Sequence, residues 1–156
     1  MKLTQQVQLP LTPQQTWSAL HDVNVLQACI PGCKSFRAVA ADEFDIRLAV
    51  RAGPVDLKFQ GRVLLREVDP GRSYTLRFDD GSGRSRGEAR VRLEAHGRNG
   101  TLLHYTAHIA LRGWIAHFGV PLWLAVAQQV ADDFFRRFRQ RVQALPAPPI
   151  DAAAAS

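Results

Sequence analysis

Hydrophobic and polar positions along this 156-residue chain change period twice, from short mixed segments to a long run of alternation and then to a helical stripe. At the start, Leu3, Val7 and Leu9 sit in an extended run that Pro10 closes, which predicts a first strand. Thr12-Pro13 reads as a helix start, because Thr12 can cap and Pro13 stands at the first helical position, where its missing N–H costs nothing. Trp17, Leu20 and Val23 fall on one side of this helix, and a second helical segment is expected over 24–29. Ile30-Pro31-Gly32 ends it, since the residue before proline is driven out of the helical region and glycine accepts whatever the turn demands.

The period then becomes two and holds for about eighty residues. Phe44, Ile46, Leu48 and Val50 alternate with Asp45, Arg47, Ala49 and Arg51; after Gly53-Pro54, Val55, Leu57, Phe59 and Val63 alternate with Asp56, Lys58, Gln60 and Arg62. Such rows are half-buried antiparallel strands, apolar on one face and charged on the other. The phase slips at Leu64-Leu65, as a β-bulge in a bent strand would make it slip. Asp69-Pro70-Gly71 is a turn; Tyr74, Leu76 and Phe78 form the next inward row, and 79–87 is a polar, glycine-bearing loop expected to be flexible over one end of the molecule. Ala89, Val91, Leu93 and Ala95, a hairpin over 96–100, and Leu103, Tyr105, Ala107, Ile109 and Leu111 complete six or seven strands in meander order.

From Gly119 the period is 3.6 again up to Leu145. Leu124, Ala127, Ala131, Phe134, Phe138, Val142 and Leu145 form the stripe, Trp123, Val130 and Phe135 widen it, and Asp132/Arg136 and Asp133/Arg137 are spaced for surface ion pairs. Pro146, Pro148 and Pro149 stop the helix, so 1–145 is one domain and 146–156 a short, mobile Pro/Ala-rich tail. The economical solution is an α+β fold: a curved antiparallel sheet wrapped around one long C-terminal helix, with two short helices after the first strand. A helix laid on a strongly bent sheet touches it along part of its length, and the gap is a ligand cavity. Its expected wall is Phe44, Leu48, Leu57, Phe59, Tyr74, Leu76, Phe78, Leu93, Tyr105, Ile109, Trp123, Phe134 and Phe138.

Composition narrows the function. Seventeen of the twenty basic residues are arginine and the formal charge is +6, which favours anionic partners. Arg47, Arg51, Arg62, Arg77, Arg90 and Arg92 fall on outward strand positions and form an expected basic face. No aromatic residues interleave them to stack on bases, so an anionic membrane or acidic protein surface is expected rather than nucleic acid. Trp114, Ile115 and Phe118, between Gly113 and Gly119, read as an aromatic portal or membrane-facing rim, tryptophan being suited to interfaces with one apolar and one wet side. The chain offers neither a secretory leader pattern nor ~18 consecutive apolar residues.

Catalytic patterns are scarce. No Ser-His-Asp order, G-x-S-x-G, HExxH or Walker pattern occurs, and Cys29 and Cys33 lack the second pair or histidine that a zinc site needs. His104 and His108 share an outer face with Arg112, where solvated histidines are expected; arginines stand where a calcium loop after Asp79-Asp80 would need acids. No catalytic residue, metal or tightly bound cofactor is therefore expected. Tyr74 and Tyr105 are the polar groups of the inward rows, fewer than an enzyme needs to converge on a substrate.

VQLPLTPQQTWSALHDVNVLQACIPGCKSF, GPVDLKFQGRV, EARVRLEAHGRNGTLLHYTAHIALRGWIAHFG after the glycine loop, and a terminal helix bearing Asp133-Phe134-Phe135 and Phe138 together resemble the carbon monoxide dehydrogenase G-subunit family. That family lies within the helix-grip superfamily of START-like and birch-pollen-allergen-like lipid-binding proteins. The resemblance covers nearly all of 1–145. It implies a non-catalytic accessory protein for a molybdenum hydroxylase-type dehydrogenase, cytoplasmic and peripherally associated with the inner face of the membrane, which in some members carries a lipophilic quinone. Related proteins often continue into a longer C-terminal tail that supports membrane attachment, a departure from this chain. The competing readings are an aromatic-polyketide cyclase-like enzyme of the same superfamily and a protein adaptor whose core is filled by its own side chains.

Overall fold

The computed structural model describes residues 1–52 and 55–144. The expected Gly53-Pro54 turn, the Leu145 end of the stripe and the tail over 146–156 lie outside the described residues. Seven strands, β1 (Lys2–Leu9), β2 (Cys33–Ala40), β3 (Glu43–Ala52), β4 (Val55–Asp69), β5 (Ser73–Asp79), β6 (Ser85–His96) and β7 (Gly100–Leu111), form one antiparallel sheet in the order β1-β7-β6-β5-β4-β3-β2. Helices α1 (Pro13–Leu20) and α2 (Val23–Cys29) lie between β1 and β2; a 3-10 helix (Gly113–Phe118) leads into α3 (Val120–Ala144). This is the helix-grip arrangement that the periodicity predicts.

Local chemistry places the short helices. Thr12 Oγ1 accepts from the Gln15 N–H at 3.2 Å, and Gln15 Oε1 accepts from the Thr12 N–H at 3.0 Å, a reciprocal cap that satisfies two otherwise unpaired donors. Asp22 caps α2 through the Asn24 N–H at 2.9 Å. Buried hydroxyls then fix α1 to the sheet: Thr16 donates to Thr101 at 3.3 Å, and Thr101 donates to the Leu11 carbonyl at 2.7 Å, with both threonines fully excluded from solvent.

Strand registers bring apolar rows together. Phe44 lies opposite Val63, Leu48 opposite Phe59, Leu65 opposite Leu76, and Tyr74, Val91 and Tyr105 follow one another across three strands. The alternation is weakest in β2, where only Phe36 is buried and Arg37 to Ala40 are exposed. The expected bulge at Leu64-Leu65 is displaced. Both residues keep regular pairing, with Leu64 opposite Glu43 and Arg77 on the charged face, and the register breaks between Arg66 and Asp69, where Glu67 takes a φ of 50°. Two adjacent leucines thus mark an apolar residue on the outer face; the bulge that turns the strand falls among exposed residues.

On α3, Phe135, Phe138 and Val142 join Val7, Leu9, Leu93 and Leu103 in the main core, and α2 contributes Val25 and Cys29 to it. A second cluster of Leu57, Ile115 and Trp123 sits at the other end of α3, and Phe36, Ile46 and Val63 form a third. On the surface of α3 the ion pair is Asp133 with Arg136 at 2.9 Å, three residues apart, in place of the expected four-residue spacings.

Gly32 is the most constrained turn residue. Its φ is +73°, its carbonyl accepts from the Ala49 N–H at 2.9 Å, and a Cβ there would lie 1.9 Å from the Ala49 carbonyl oxygen. Gly32→Ala is expected to cost more than about 2 kcal/mol, from left-handed backbone strain together with separation of the turn from β3. Denaturant unfolding measures this, and a loss near zero would mean the turn has another low-energy conformation.

Candidate functional site

Between the concave face of the sheet and α3 lies a cavity of about 510 Å³. Its α3 wall runs from Trp123 to Phe135, about 18 Å along the helix axis at 1.5 Å per residue. Ten of the residues expected on the wall are there: Phe44, Leu48, Phe59, Tyr74, Leu76, Phe78, Tyr105, Ile109, Trp123 and Phe134. Three are not. Leu57 is buried against Ile115 and Trp123 behind the wall, while Leu93 and Phe138 pack in the main core, where Phe138 has 0% exposure. Periodicity assigns a face of the sheet, and the stretch of that face that α3 contacts directly becomes core instead of wall.

Sequence reasoning missed the end of the cavity formed by the short helices. Leu20, His21, Leu26 and Ile30 line it, and neither strand alternation nor the α3 stripe could single them out. His21 is the notable member. Its ring stacks on Trp17 with centroids 4.3 Å apart and meets Tyr74 edge-on at 4.8 Å, and its Nδ1 lies 2.7 Å from the Trp17 carbonyl oxygen.

The polar atoms of the wall are few. Burial pushes the Tyr74 phenol well above its ordinary pKa, so it remains a neutral hydroxyl. Tyr105 is pushed up to about 12, by burial first and by the Asp132 charge second, and its hydroxyl donates to Gln5 Oε1 at 2.6 Å. Ser85, also on the wall, donates to Asp80 at 3.0 Å.

That last contact belongs to a tied loop rather than a flexible one. Asp80 also accepts from the Ser82 and Ser85 N–H groups and from the Ser82 hydroxyl, at 2.8–3.2 Å. Partial desolvation is the largest single effect on Asp80 and opposes its charge, but these bonds together outweigh it and hold the carboxyl below its ordinary range.

At the opposite end, none of the three expected portal residues touches the cavity. Ile115 is buried on Trp123, whose indole N–H donates to the Ile115 carbonyl at 2.7 Å; Phe118 packs edge-on between Trp114 and Trp123. The 3-10 helix is therefore a cap behind the wall, with 49% of Trp114 and 61% of Val120 exposed on its outer side. Gly113 and Gly119 bound it, with φ of +72° and +84°.

The arginine face is outward as expected, but five of its six members have acidic partners. Arg51 pairs with Asp56, Arg62 with Glu43 and Asp45, Arg77 with Glu88, Arg90 with Glu67 and Arg92 with Glu94, at 2.9–3.7 Å. Arg47 alone of the six has no ion pair among the described residues. Surface pairs of this kind contribute little stability but reduce the outward positive field. His104 lies 2.9 Å from Glu94, and burial raises the pKa of the Cys29 and Cys33 thiols, which are not joined to each other. Among the described residues, no group of three or more His, Cys, Asp or Glu side chains is placed to hold a metal ion.

A single curved sheet closed by one long helix over an apolar cavity defines the START-like, helix-grip class. The profile of the CoxG family, the G subunit of carbon monoxide dehydrogenase, matches residues 6–143, and the chain belongs to that family. No curated protein matches it by sequence. Among solved structures, a conserved protein from Geobacillus kaustophilus is 25% identical with a TM-score of 0.84, covering 92% of this chain and 95% of its own. A START superfamily protein from Mycobacterium smegmatis (11% identity, TM-score 0.75, covering 93% and 99%) and the Zhui aromatase/cyclase from Streptomyces sp. R1128 (15%, 0.70, 100% and 98%) share the fold.

Phe134 stacks on Phe138 at 5.7 Å and edge-on to Phe135 at 5.0 Å, yet one side of it faces the cavity. Phe138→Ala is accordingly expected to cost about 3–5 kcal/mol and Phe134→Ala about half as much, since part of the Phe134 ring has no packing partner to lose. Paired unfolding curves check the order, and equal losses would mean that the Phe134 ring is packed on every side.

Proposed function

We propose that this protein is a non-catalytic carrier that holds a lipophilic molecule in the cavity under α3 and serves a molybdenum-containing, carbon monoxide dehydrogenase-type enzyme at the inner face of the cytoplasmic membrane. The cavity is the observation that carries the reading: about 510 Å³, within the range of small-molecule sites, and walled almost wholly by aliphatic and aromatic side chains. Family membership over 6–143 supports the accessory role. An isoprenoid quinone is the candidate ligand, because an elongated apolar space about 18 Å along α3 suits a ring on a chain.

Two alternatives are weaker on specific grounds. A cyclase needs several polar groups converging on a substrate; with Tyr105 and Ser85 committed to Gln5 and Asp80, the wall leaves His21, Tyr74 and Arg86, and no carboxylate is among its lining residues. An adaptor with a filled core leaves a cavity of this size without a purpose. Lipid extraction and native mass spectrometry of protein purified from a host of its own kind should show an apolar molecule at near-stoichiometric amount. Turnover of a polyketide analogue, or protein without any co-purifying lipophile and without titratable quinone binding, would reverse the reading.

Membrane contact falls on the outer side of the 3-10 cap. No helix among the described residues is long and apolar enough to cross a membrane. Trp114 and Val120 are exposed there, and the Arg112 N–H donates to the Arg84 carbonyl at 2.7 Å, which brings two exposed cations beside them. Aromatic groups set among arginines suit an anionic headgroup layer. Co-sedimentation with phosphatidylglycerol vesicles should fall as salt rises and fall further in Trp114→Ser, with no change in the unfolding midpoint of that variant. Binding that is insensitive to both would remove the membrane from the proposal and leave the cavity untouched.

A further inference from the structure

Among the described residues, His21 Nε2 is the one buried side-chain nitrogen or oxygen without a hydrogen-bond partner. It belongs to a ring on the cavity wall, at the end formed by α1 and α2. The other ring nitrogen decides its chemistry. Nδ1 lies 2.7 Å from the Trp17 carbonyl oxygen, and a carbonyl only accepts, so Nδ1 carries the proton. In the uncharged imidazole Nε2 is then a bare lone pair.

A lone pair facing apolar surroundings selects its complement. An O–H or N–H group satisfies it, whereas a ketone, ether or quinone carbonyl brings only another lone pair. The neighbouring Tyr74 ring, 4.8 Å away, bears a neutral hydroxyl that makes no hydrogen bond among the described residues, so it can donate to the oxygen of the same guest. Tyr105, the other inward phenol, is spoken for by Gln5.

We propose that His21 Nε2 is the polar anchor of the cavity, and that the lipophile held there presents a hydroxyl to it: a phenol, an aromatic alcohol or a hydroquinone. This deepens the carrier reading and rests on it. For a quinone-type ligand, the reduced, hydroxylated form is held more tightly than the oxidised one. Nε2 is shielded from water-sized contact by its neighbours, so docking includes a side-chain adjustment at this wall, of the kind common when ligands bind.

The test uses a matched pair, 4-pentylphenol and its methyl ether 4-pentylanisole, titrated calorimetrically into the full chain. Wild type should bind the phenol about fivefold more tightly, the effect of one hydrogen bond of ordinary net strength. His21→Phe keeps the ring and removes the acceptor, and should bind the two alike. The Trp17 carbonyl retains the His21 main-chain N–H at 3.2 Å in that variant, so helix α1 keeps its last turn. As a check that needs no substitution, the nitrogen-15 resonance of His21 Nε2 should move with the phenol and stay put with the ether. Equal binding of both compounds by wild type, an unmoved resonance, or a phenol preference that survives His21→Phe overturns the assignment of His21 while leaving the cavity as a binding site. Binding of neither compound overturns the carrier reading itself, and this inference with it.

Discussion

A single sheet has one apolar face and, in this chain, a single long helix to cover it. Seven strands at ~4.8 Å spacing span ~29 Å, and a helix with its side chains is only ~10–12 Å across. The sheet must therefore curl until both flanks approach α3, and even then the facing surfaces cannot close everywhere. Where Phe138 and Val142 of α3 share one packed cluster with Leu93 and Leu103 of the sheet and with side chains of α1 and α2, the interior is solid. Where α3 stands off, between Trp123 and Phe135, the same kinds of side chain line a void. Core and cavity are one apolar layer divided by how near the helix comes.

This origin explains the chemistry of the void. Its walls are inward strand positions and a helical stripe, chosen to avoid water, so polar atoms enter as the hydroxyls of Tyr74 and Tyr105 and where an element ends. Ser85 stands at the start of β6 and His21 at the C-cap of α1. Recognition of a guest is accordingly confined to a few atoms at the margins, while the middle measures only volume and shape. The outer face shows the reverse economy, with Arg51, Arg62, Arg77, Arg90 and Arg92 each set against a carboxylate of the sheet's outer surface.

Much of the architecture was legible because two periods dominate the sequence. The Thr12-Pro13 start, the Ile30-Pro31-Gly32 stop, the charged-and-apolar rows from Phe44 onward and the stripe of α3 each map onto an observed element. β2 was the faint strand, because an edge position asks for one buried residue, Phe36, and leaves the rest exposed. The wall of the cavity was legible for ten residues and misread for Leu57, Leu93 and Phe138, since alternation reports which face a residue takes and not how close the covering helix lies. The cap over 113–118 was misread in a similar way: aromatic composition marked the segment, but only the Trp123 indole bond to Ile115 shows that it closes the wall from behind. His21 gave no signal at all. A lone histidine after a short helix becomes chemically specific only through the Trp17 carbonyl that fixes its proton.

The buried Thr16–Thr101–Leu11 bridge gives the molecule a mechanical direction. It nails α1, and with it the end of the cavity that holds His21, to the start of β7, beside the edge strand β1. The far end is backed by two turns of 3-10 helix bounded by two glycines of positive φ. The two ends of the cavity therefore differ in stiffness, one pinned by buried hydroxyls and the other backed by a segment whose bounding glycines leave its backbone less constrained.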